Sequence, residues 1–570
     1  MKRYKVIIYI LAAGFFTSCA NLDLNPLAEG SSETWYSTQE EIDMSVNDLY
    51  KDSFFPASNG DNSGADSWTD DWIYRETLTP VTAGTINGEW SFLVTNIWLN
   101  TYKAIGRANT LLDNLNRSAN KIPAQTLIRY EAEVKFMRAC FYSRLIFFFG
   151  DVIFYTAPLS LDEAFKMSRT SKNEVLKSIY EDFDFAAQNL PESYTGSAVK
   201  KVSKGAAYGM KARIALYMSD FQTAKNAAKA CMDLNVYKLH SDFSNLFLTT
   251  TQQSQETIFG MPRSIEYKIT LGIQNMVPRN SGGWAAMNPS WDLFCSFLCT
   301  DGLPIDESPL FDPHEPFKNR DPRCSATIVE FGKPHLGIDY QPHPDSLQVM
   351  NYNTGRRIAN NDTRAVAQYA SYNGLVWKKG VDETWLLNGW NVAPEKIILR
   401  YADVLLMYAE AKIELNEIDE SVLDAINRVR ARAYKADIAA TTKYPAVTTT
   451  NQTKLRQIVR IERRMELAWE NLRYMDIIRW KLAEKVLNLP NYSMLDPVDL
   501  RDKVVKTGGW FFPETPPIDE DGVADFSGMY NKGLVKITVQ RQFNKDRQYL
   551  WPIPTKDILI NDNLKQNPGY

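Results

Sequence analysis

The chain has 570 residues, and Lys+Arg 64 against Asp+Glu 68 leaves a formal charge of only −4, a balance that excludes a basic nucleic-acid binder. With 44% hydrophobic and 23% charged residues, Gly 28 and Pro 27, it is neither disordered nor collagenous and can bury a large core. Its length equals roughly three or four domains of about 150 residues, unless helical repeats fuse it into one body.

Residues 1–18 read as a secretory signal: Lys2, Arg3 and Lys5 are the basic start, Val6 to Phe16 the apolar run, and Thr17-Ser18 the small pair before Cys19. The run is too short to span a bilayer, which needs about 20 apolar residues. A small pair followed at once by cysteine resembles a bacterial lipobox, so Cys19 is the expected lipidation site and new N-terminus. Cleavage there removes three positive charges and no acidic ones, taking the formal charge from −4 to −7.

Ser53 to Glu89 is rich in Gly, Pro, Asn, Asp and Trp without sustained period. Within it DSWTDDWIYRET alternates Trp68 and Trp72 with Asp66, Asp70, Asp71, Tyr74 and Arg75. Ile97 to Leu115 and Tyr130 to Phe149 then predict a helical hairpin, and Gly205 to Leu234 a second, turning at Ser219-Asp220 with Ala212, Ala224 and Cys231 at the crossing. Two further loop-rich stretches follow, Gln252 to Pro289 and Asp301 to Val392. The first leads into SGGWAAMNPSWDLF, with Trp284 after two glycines and Trp291 at a helix start. The second holds WKKGVDETWLLNGW, with Trp377, Asp382, Trp385 and Trp390. Leu399 to Ala433 predicts a third hairpin turning near Asn416 to Asp419, and Lys454 to Val486 a further long helical stretch. Thr507 to Gly533 is the last irregular insert. Long excursions of this kind usually carry function, so helices form the expected scaffold and loops the site.

Cys140, Cys231, Cys295, Cys299 and Cys324 are an odd set in a long chain, which predicts buried thiols rather than a disulfide scaffold. Four scattered histidines and the absence of an H-E-x-x-H run nominate no metal site. Glu462, Glu466 and Glu470 share a helical spacing that imitates a glycosidic carboxylate pair. With Arg463, Arg464, Arg473 and Arg479 at hand they read as a structural charge network instead. Arg428, Arg430 and Arg432 read as braces between helices, and Trp551-Pro552-Ile553-Pro554 as an extended strip docked on the scaffold.

The tail YLWPIPTKDILINDNLKQNPGY, Tyr549 to Tyr570, resembles the closing signature of the SusD/RagB family, the outer-membrane nutrient-binding lipoproteins of Bacteroidetes. Six other blocks agree in order: CANLDLNP, IWLNTYKAIGRANTLLDNL, EAEVKFMRACFYSRLIFFFGDV, the DPR of Asp321 to Arg323, ILRYADVLLMYAEA and ERRMELAWENLRYMDIIRW. Asp557 and Asp562 depart from residues commoner in the tail. The resemblance implies a mainly α fold of tetratricopeptide-like hairpins with long loop-rich insertions, forming a single body over 19–570. In that body 19–250 is a helical part with an early ligand loop, 251–398 a loop-rich central part, and 399–570 the last hairpin and tail. It also implies surface exposure, a SusC-like TonB-dependent transporter as partner, membrane attachment through the N-terminal lipid, no cofactor, and capture of an oligo- or polysaccharide without cleavage.

A pyranose offers a C–H face to an indole and hydroxyls to carboxylate and guanidinium. On that chemistry the expected glycan-binding residues are Trp68, Asp71, Trp72, Tyr74, Arg75, Trp284 and Trp291. Trp68, Trp72 and Trp284 are expected to be exposed because polar residues or glycines flank them. A helical glycoside hydrolase or lyase, and a transporter lid without a sugar site of its own, remain alternatives from other classes; spacing nominates no convergent carboxylates for the former.

Overall fold

The computed structural model describes residues 35–55, 64–89, 91–195 and 201–570; the signal and the Cys19 lipobox lie outside the described residues. Helix α1 (Gln39–Asp48) starts at a capping box, in which the Thr38 hydroxyl accepts from the Glu41 amide and the Glu41 carboxylate from the Thr38 amide. Then come α2 (Asn96–Asn114), α3 (Ala124–Phe149), α4 (Lys172–Asn189), α5 (Lys204–Tyr217), α6 (Phe221–Asp233), α7 (Tyr401–Glu414), α8 (Glu420–Ala433) and α9 (Gln452–Glu466).

From α2 to α8 each of these helices packs on the next, and α9 packs on α7. This is the stacked-hairpin scaffold expected from the alanine spacing. The turns fall where the sequence puts them. Ser219 (φ 61°) and Asn416 (φ 57°) take the left-handed conformation that ends a helix, and Asp220 and Asp419 cap α6 and α8. Small residues permit the close approach: Ala212, Ala224, Ala228 and Cys231 are fully buried, and a Cβ added to Gly209 would sit 2.3 Å from Leu399 Cδ2. Cys140, Cys231, Cys295, Cys299 and Cys324 are all buried free thiols; burial pushes Cys231 up to about 12.

One predicted helix breaks. The stretch Lys454 to Val486 is not continuous, because α9 stops at Glu466 and Trp469 and Asn471 both take φ 63° before short helices resume at Arg473. Side chains take over the carbonyls at the break. Arg400 donates to the Glu466 carbonyl at 2.8 Å, and Lys379 to the Ala468 carbonyl at 2.7 Å.

The three glutamates do form a charge network, with different cations from those expected. Glu462 is held by Arg323 at 2.7 Å and Arg430 at 2.6 Å, Glu466 by Arg400 at 2.6 Å, Arg323 at 3.0 Å and Arg432, and Glu470 by Arg400 at 2.7 Å and Lys379 at 2.6 Å. Arg463, Arg464, Arg473 and Arg479 point elsewhere, because neighbouring positions on a helix face other elements: Arg463 binds Asp403 at 2.8 Å and Arg479 binds Glu410 at 2.6 Å. Arg430 and Arg432 brace helices as expected, while Arg428 forms its ion pair with half-buried Asp424 one turn away on the same helix.

Strands are short and local: β1 (Trp72–Tyr74), β2 (Thr257–Met261), β3 (Leu271–Gly272), β4 (Met287–Pro289), β5 (Lys333–His335), β6 (Ile338–Tyr340), β7 (Gln348–Asn351), β8 (Arg356–Ala359), β9 (Asn391–Val392), β10 (Lys396–Arg400), β11 (Pro490–Ser493) and β12 (Lys536–Gln540). They pair antiparallel as β1–β4, β2–β10, β3–β9, β11–β12 and the meander β5–β6–β7–β8. The loop-rich stretches supply most of a second core around Trp291, Trp377, Trp385, Phe511 and Phe512, which Met465 and Trp469, at and beyond the end of α9, enter from the scaffold. The strip at Trp551 docks as expected: its amide donates to the Phe148 carbonyl and its Nε1 to Tyr474 Oη at 2.8 Å. No helix among the described residues is long and apolar enough to cross a membrane.

Candidate functional site

The loop stretch Asp66 to Arg75 is fixed to the scaffold by its acidic residues. Asp71 Oδ1 accepts from Arg464 Nη2 at 2.6 Å and Nε at 2.9 Å, and Asp70 accepts from Arg473 at 2.8 and 3.0 Å and from Arg464 at 2.9 Å. Burial by itself would raise Asp70, but the Arg464 and Arg473 guanidinium groups outweigh it and hold the carboxyl well below the usual carboxylate range. Asp66 accepts from the Asn471 amide at 2.9 Å, and burial raises it to about 8. Ser290 closes the corner, its amide donating to the Asp71 carbonyl at 3.0 Å and its hydroxyl to the Asp70 carbonyl at 2.5 Å. From there β1 runs antiparallel to β4, pairing Tyr74 with Met287.

Four of the expected ligand positions are buried, against the exposure expected of Trp68 and Trp72. Trp68 is only 3% exposed and packs edge-on to Trp551, Tyr474 and Phe148 at centroid distances of 5.0, 5.3 and 6.1 Å. Trp72 is 8% exposed and belongs to the second core. Trp291 begins a short helix, Trp291–Ser296, as expected, yet it is buried, with Nε1 donating to the Asn373 carbonyl at 2.8 Å. Asp71 is buried and engaged by arginine rather than presented to solvent. The polar neighbours that suggested exposure for Trp68 and Trp72 are themselves buried and paired. A mostly apolar hollow of about 180 Å³, lined by Trp68, Phe148, Met210 and Trp469 among others, lies in the scaffold and shares no lining residue with the surface described next.

Arg75 and Trp284 do come together, while Tyr74 packs against the second core. Trp284 is 46% exposed. Its loop is narrow: Gly282 has φ 92°, and a Cβ on Gly283 would lie 2.2 Å from the Val277 carbonyl oxygen, so only glycine fits. The Trp284 amide donates to the Gln274 carbonyl at 2.7 Å, which fixes the backbone beneath the ring. Arg75 donates from its amide to the Ala286 carbonyl at 3.1 Å and from Nη2 to the Trp284 carbonyl at 3.2 Å. Its guanidinium lies 5.0 Å from the centre of the Tyr369 ring, and Tyr369 is 49% exposed. Tyr74 is half-buried alongside, 6.3 Å from the Trp72 ring.

Asp362 holds this loop from behind, accepting from the Arg279 amide at 2.6 Å and the Asn280 amide at 3.4 Å; burial raises its carboxyl to about 7. Sequence reasoning missed Tyr369. The available signal was an aromatic pair, Tyr369 and Tyr372, in a Gly/Asn/Ser-containing stretch with no helical or strand period. The resulting surface offers an indole, a phenol ring and guanidinium N–H groups at one rim, suited to a ligand with an apolar face and acceptor groups at its edge.

Fold and surface together define a helical-repeat scaffold that carries an aromatic face built by its loops. The family model described as the SusD family matches residues 249–570, and a second, described as "Starch-binding associating with outer membrane", matches residues 33–216; the chain belongs to the SusD family. Two SusD-like proteins of Formosa agariphila are each 25% identical to it, one match covering 100% of both chains and the other 87% of this chain and 93% of the relative. A SusD-like carbohydrate binding protein from Bacteroides fragilis superposes with a TM-score of 0.76 at 26% identity, over 93% of this chain and 99% of its own. A surface glycan-binding protein A from Bacteroides fluxus shares the fold with a TM-score of 0.62 at 17% identity, over 94% of this chain and 100% of its own. A laminarin binding SusD-like protein does so with a TM-score of 0.64 at 18%, over 94% and 100%.

Proposed function

We propose that the mature protein is a surface lipoprotein of the outer membrane, anchored through Cys19, that captures an oligo- or polysaccharide and delivers it intact to a SusC-like TonB-dependent transporter. The observation that carries this reading is the half-exposed Trp284 indole, locked by its glycine loop beside Arg75 and Tyr369. Membership of the SusD family supports it, as do the carbohydrate-binding and glycan-binding names of structural relatives. Stacking on the rings supplies affinity, and the Arg75 guanidinium donates to hydroxyl oxygens. On the segment that carries Arg75, Asp70 and Asp71 are committed to arginine and Glu76 lies 3.7 Å from Lys536, which favours capture over hydrolysis.

Incubating the mature protein with laminarin and with starch, then separating bound from free sugar and sizing both, tests the two halves of the reading. Bound chains of unchanged length are expected; shortened chains would place the protein among enzymes. Acyl chains contribute about 0.8 kcal/mol per buried CH₂, so Cys19→Ala is expected to move the protein from the membrane to the soluble fraction. Persistent membrane fractionation would contradict the anchor.

A further inference from the structure

The hollow in the scaffold lies where α3 and α5 meet the break that follows α9. Ser143 and Phe147, one turn apart on α3, and Met210, Arg213 and Tyr217, on one face of α5, form a wall, with Trp469 across from it. The Phe147 and Tyr217 rings stand 5.3 Å apart, which joins the two helices there. Every lining residue is buried or half-buried, and at about 180 Å³ the space exceeds the ~150 Å³ cavity that takes up benzene. A packing fault of that size would be apolar throughout. This one is not: Ser143 Oγ, Arg213 Nε, Tyr217 Oη and Trp469 Nε1 are buried and, among the described residues, have no hydrogen-bond partner, a condition rare in folded proteins. Arg213 and Trp469 can only donate at these atoms, while the two hydroxyls donate or accept. The charges around the hollow are engaged. Arg213 donates to Asp403 at 2.6 Å, Lys379 to Glu470 at 2.6 Å, and Arg144 and Lys396 to the Phe54 and Phe55 carbonyls at 2.6 and 2.9 Å.

We infer that this hollow is a binding site, separate from the glycan face, for a small uncharged ring compound that carries acceptor oxygens, such as an aromatic ketone or lactone. Apolar walls such as Phe148 and Met210 hold the ring, and the bare guanidinium and indole N–H groups meet its oxygens. A carboxylate is disfavoured because the cations that line the hollow already hold partners. A sugar is a poor fit, since its rim of hydroxyls would meet mostly hydrocarbon. Ordered water, which satisfies the same four atoms one by one, is the competing occupant.

The test is calorimetric titration of the mature protein with acetophenone and coumarin as probes, and with toluene and benzoate for comparison, on wild type, Trp469→Phe, Tyr217→Phe and Met210→Trp. Wild type is expected to bind one molecule of either probe, and toluene, which keeps the ring and lacks the oxygen, about tenfold more weakly. Trp469→Phe and Tyr217→Phe keep their rings and lose one polar atom each, so each is expected to weaken acetophenone several-fold and leave toluene unchanged. Met210→Trp fills the hollow and abolishes binding of every probe; should it fail to fold, the two phenylalanine variants decide alone. Absence of binding to wild type leaves the hollow to water and overturns the site, as does full affinity in Met210→Trp. Toluene bound as tightly as acetophenone, acetophenone affinity unchanged in both phenylalanine variants, or benzoate bound more tightly than either probe overturns the assigned ligand class.

Discussion

Trp68 and Trp284 look alike in sequence, each an indole among polar or glycine neighbours, and the structure gives them opposite roles. Trp68→Ala removes a buried ring from the cluster with Trp551, Tyr474 and Phe148, and is expected to cost about 3–5 kcal/mol in denaturant unfolding. Trp284→Ala should stay within about 0.5 kcal/mol of wild type. Equal stabilities for the two variants would contradict the burial described. Flanking polarity failed as a guide because Asp66, Asp70 and Asp71 are buried with partners of their own, drawn from residues some four hundred positions away. Asp362 gives a second residue-scale test. Burial raises its carboxyl from near 3.8 to about 7, so between these values the unfolded chain is ionised while the folded one retains its proton. Folding therefore loses stability as pH rises from about 4 to about 7, and the loss is constant above. Asp362→Asn keeps the Oδ1 acceptor for Arg279 and removes that slope, so stability curves for variant and wild type should diverge across this window. Parallel curves would show that Asp362 is ionised in the fold.

At the scale of elements, the second and third hairpins were readable because their information is local: alanine spacing, a left-handed residue and an aspartate cap mark each of the two turns within a few positions. Ala224→Leu should overpack α6, fully buried at that position, and cost about 1–3 kcal/mol; an unchanged unfolding midpoint would contradict the close crossing. The break after α9 was not readable, since Lys379, from a loop, and Arg400, at the end of β10, satisfy its last carbonyls from distant parts of the chain. Strand β1 is positioned in the same non-local way. Asp71→Ala leaves Arg464 short of a buried partner and is expected to cost roughly 3–5 kcal/mol, with sugar affinity falling as Arg75 loses its register on Ala286. Normal stability with lost affinity would instead return Asp71 to the ligand itself.

The whole molecule joins a helical core to a loop-built one, and buried ion pairs, those inside the helical scaffold included, set its response to acid. Burial raises Asp403, but Arg213 and Arg463 outweigh it and hold the group at about 2. A depressed carboxyl contributes stability that is complete above its unfolded value near 3.8 and is lost as pH falls through the folded value. Cooperative loss of helical signal between about pH 4 and 2 is expected, and less steeply in Asp403→Asn. The scaffold and family blocks were legible across most of the chain, yet of seven expected contact residues only Arg75 and Trp284 adjoin on the exposed face. Aperiodic loops carry no face assignment in their sequence, and the packing that buries Trp68 in the helical core and Trp72 and Trp291 in the second core is assembled from segments far apart in the chain.

The central claim is that the Trp284 face captures glycan. Native electrophoresis through gels cast with laminarin or starch measures it directly, comparing wild type with Trp284→Ala at equal melting temperature. Retardation of wild type by a polysaccharide, lost in large part by Trp284→Ala, is the predicted result; equal retardation of the two proteins, or free migration of wild type in every gel, would contradict it.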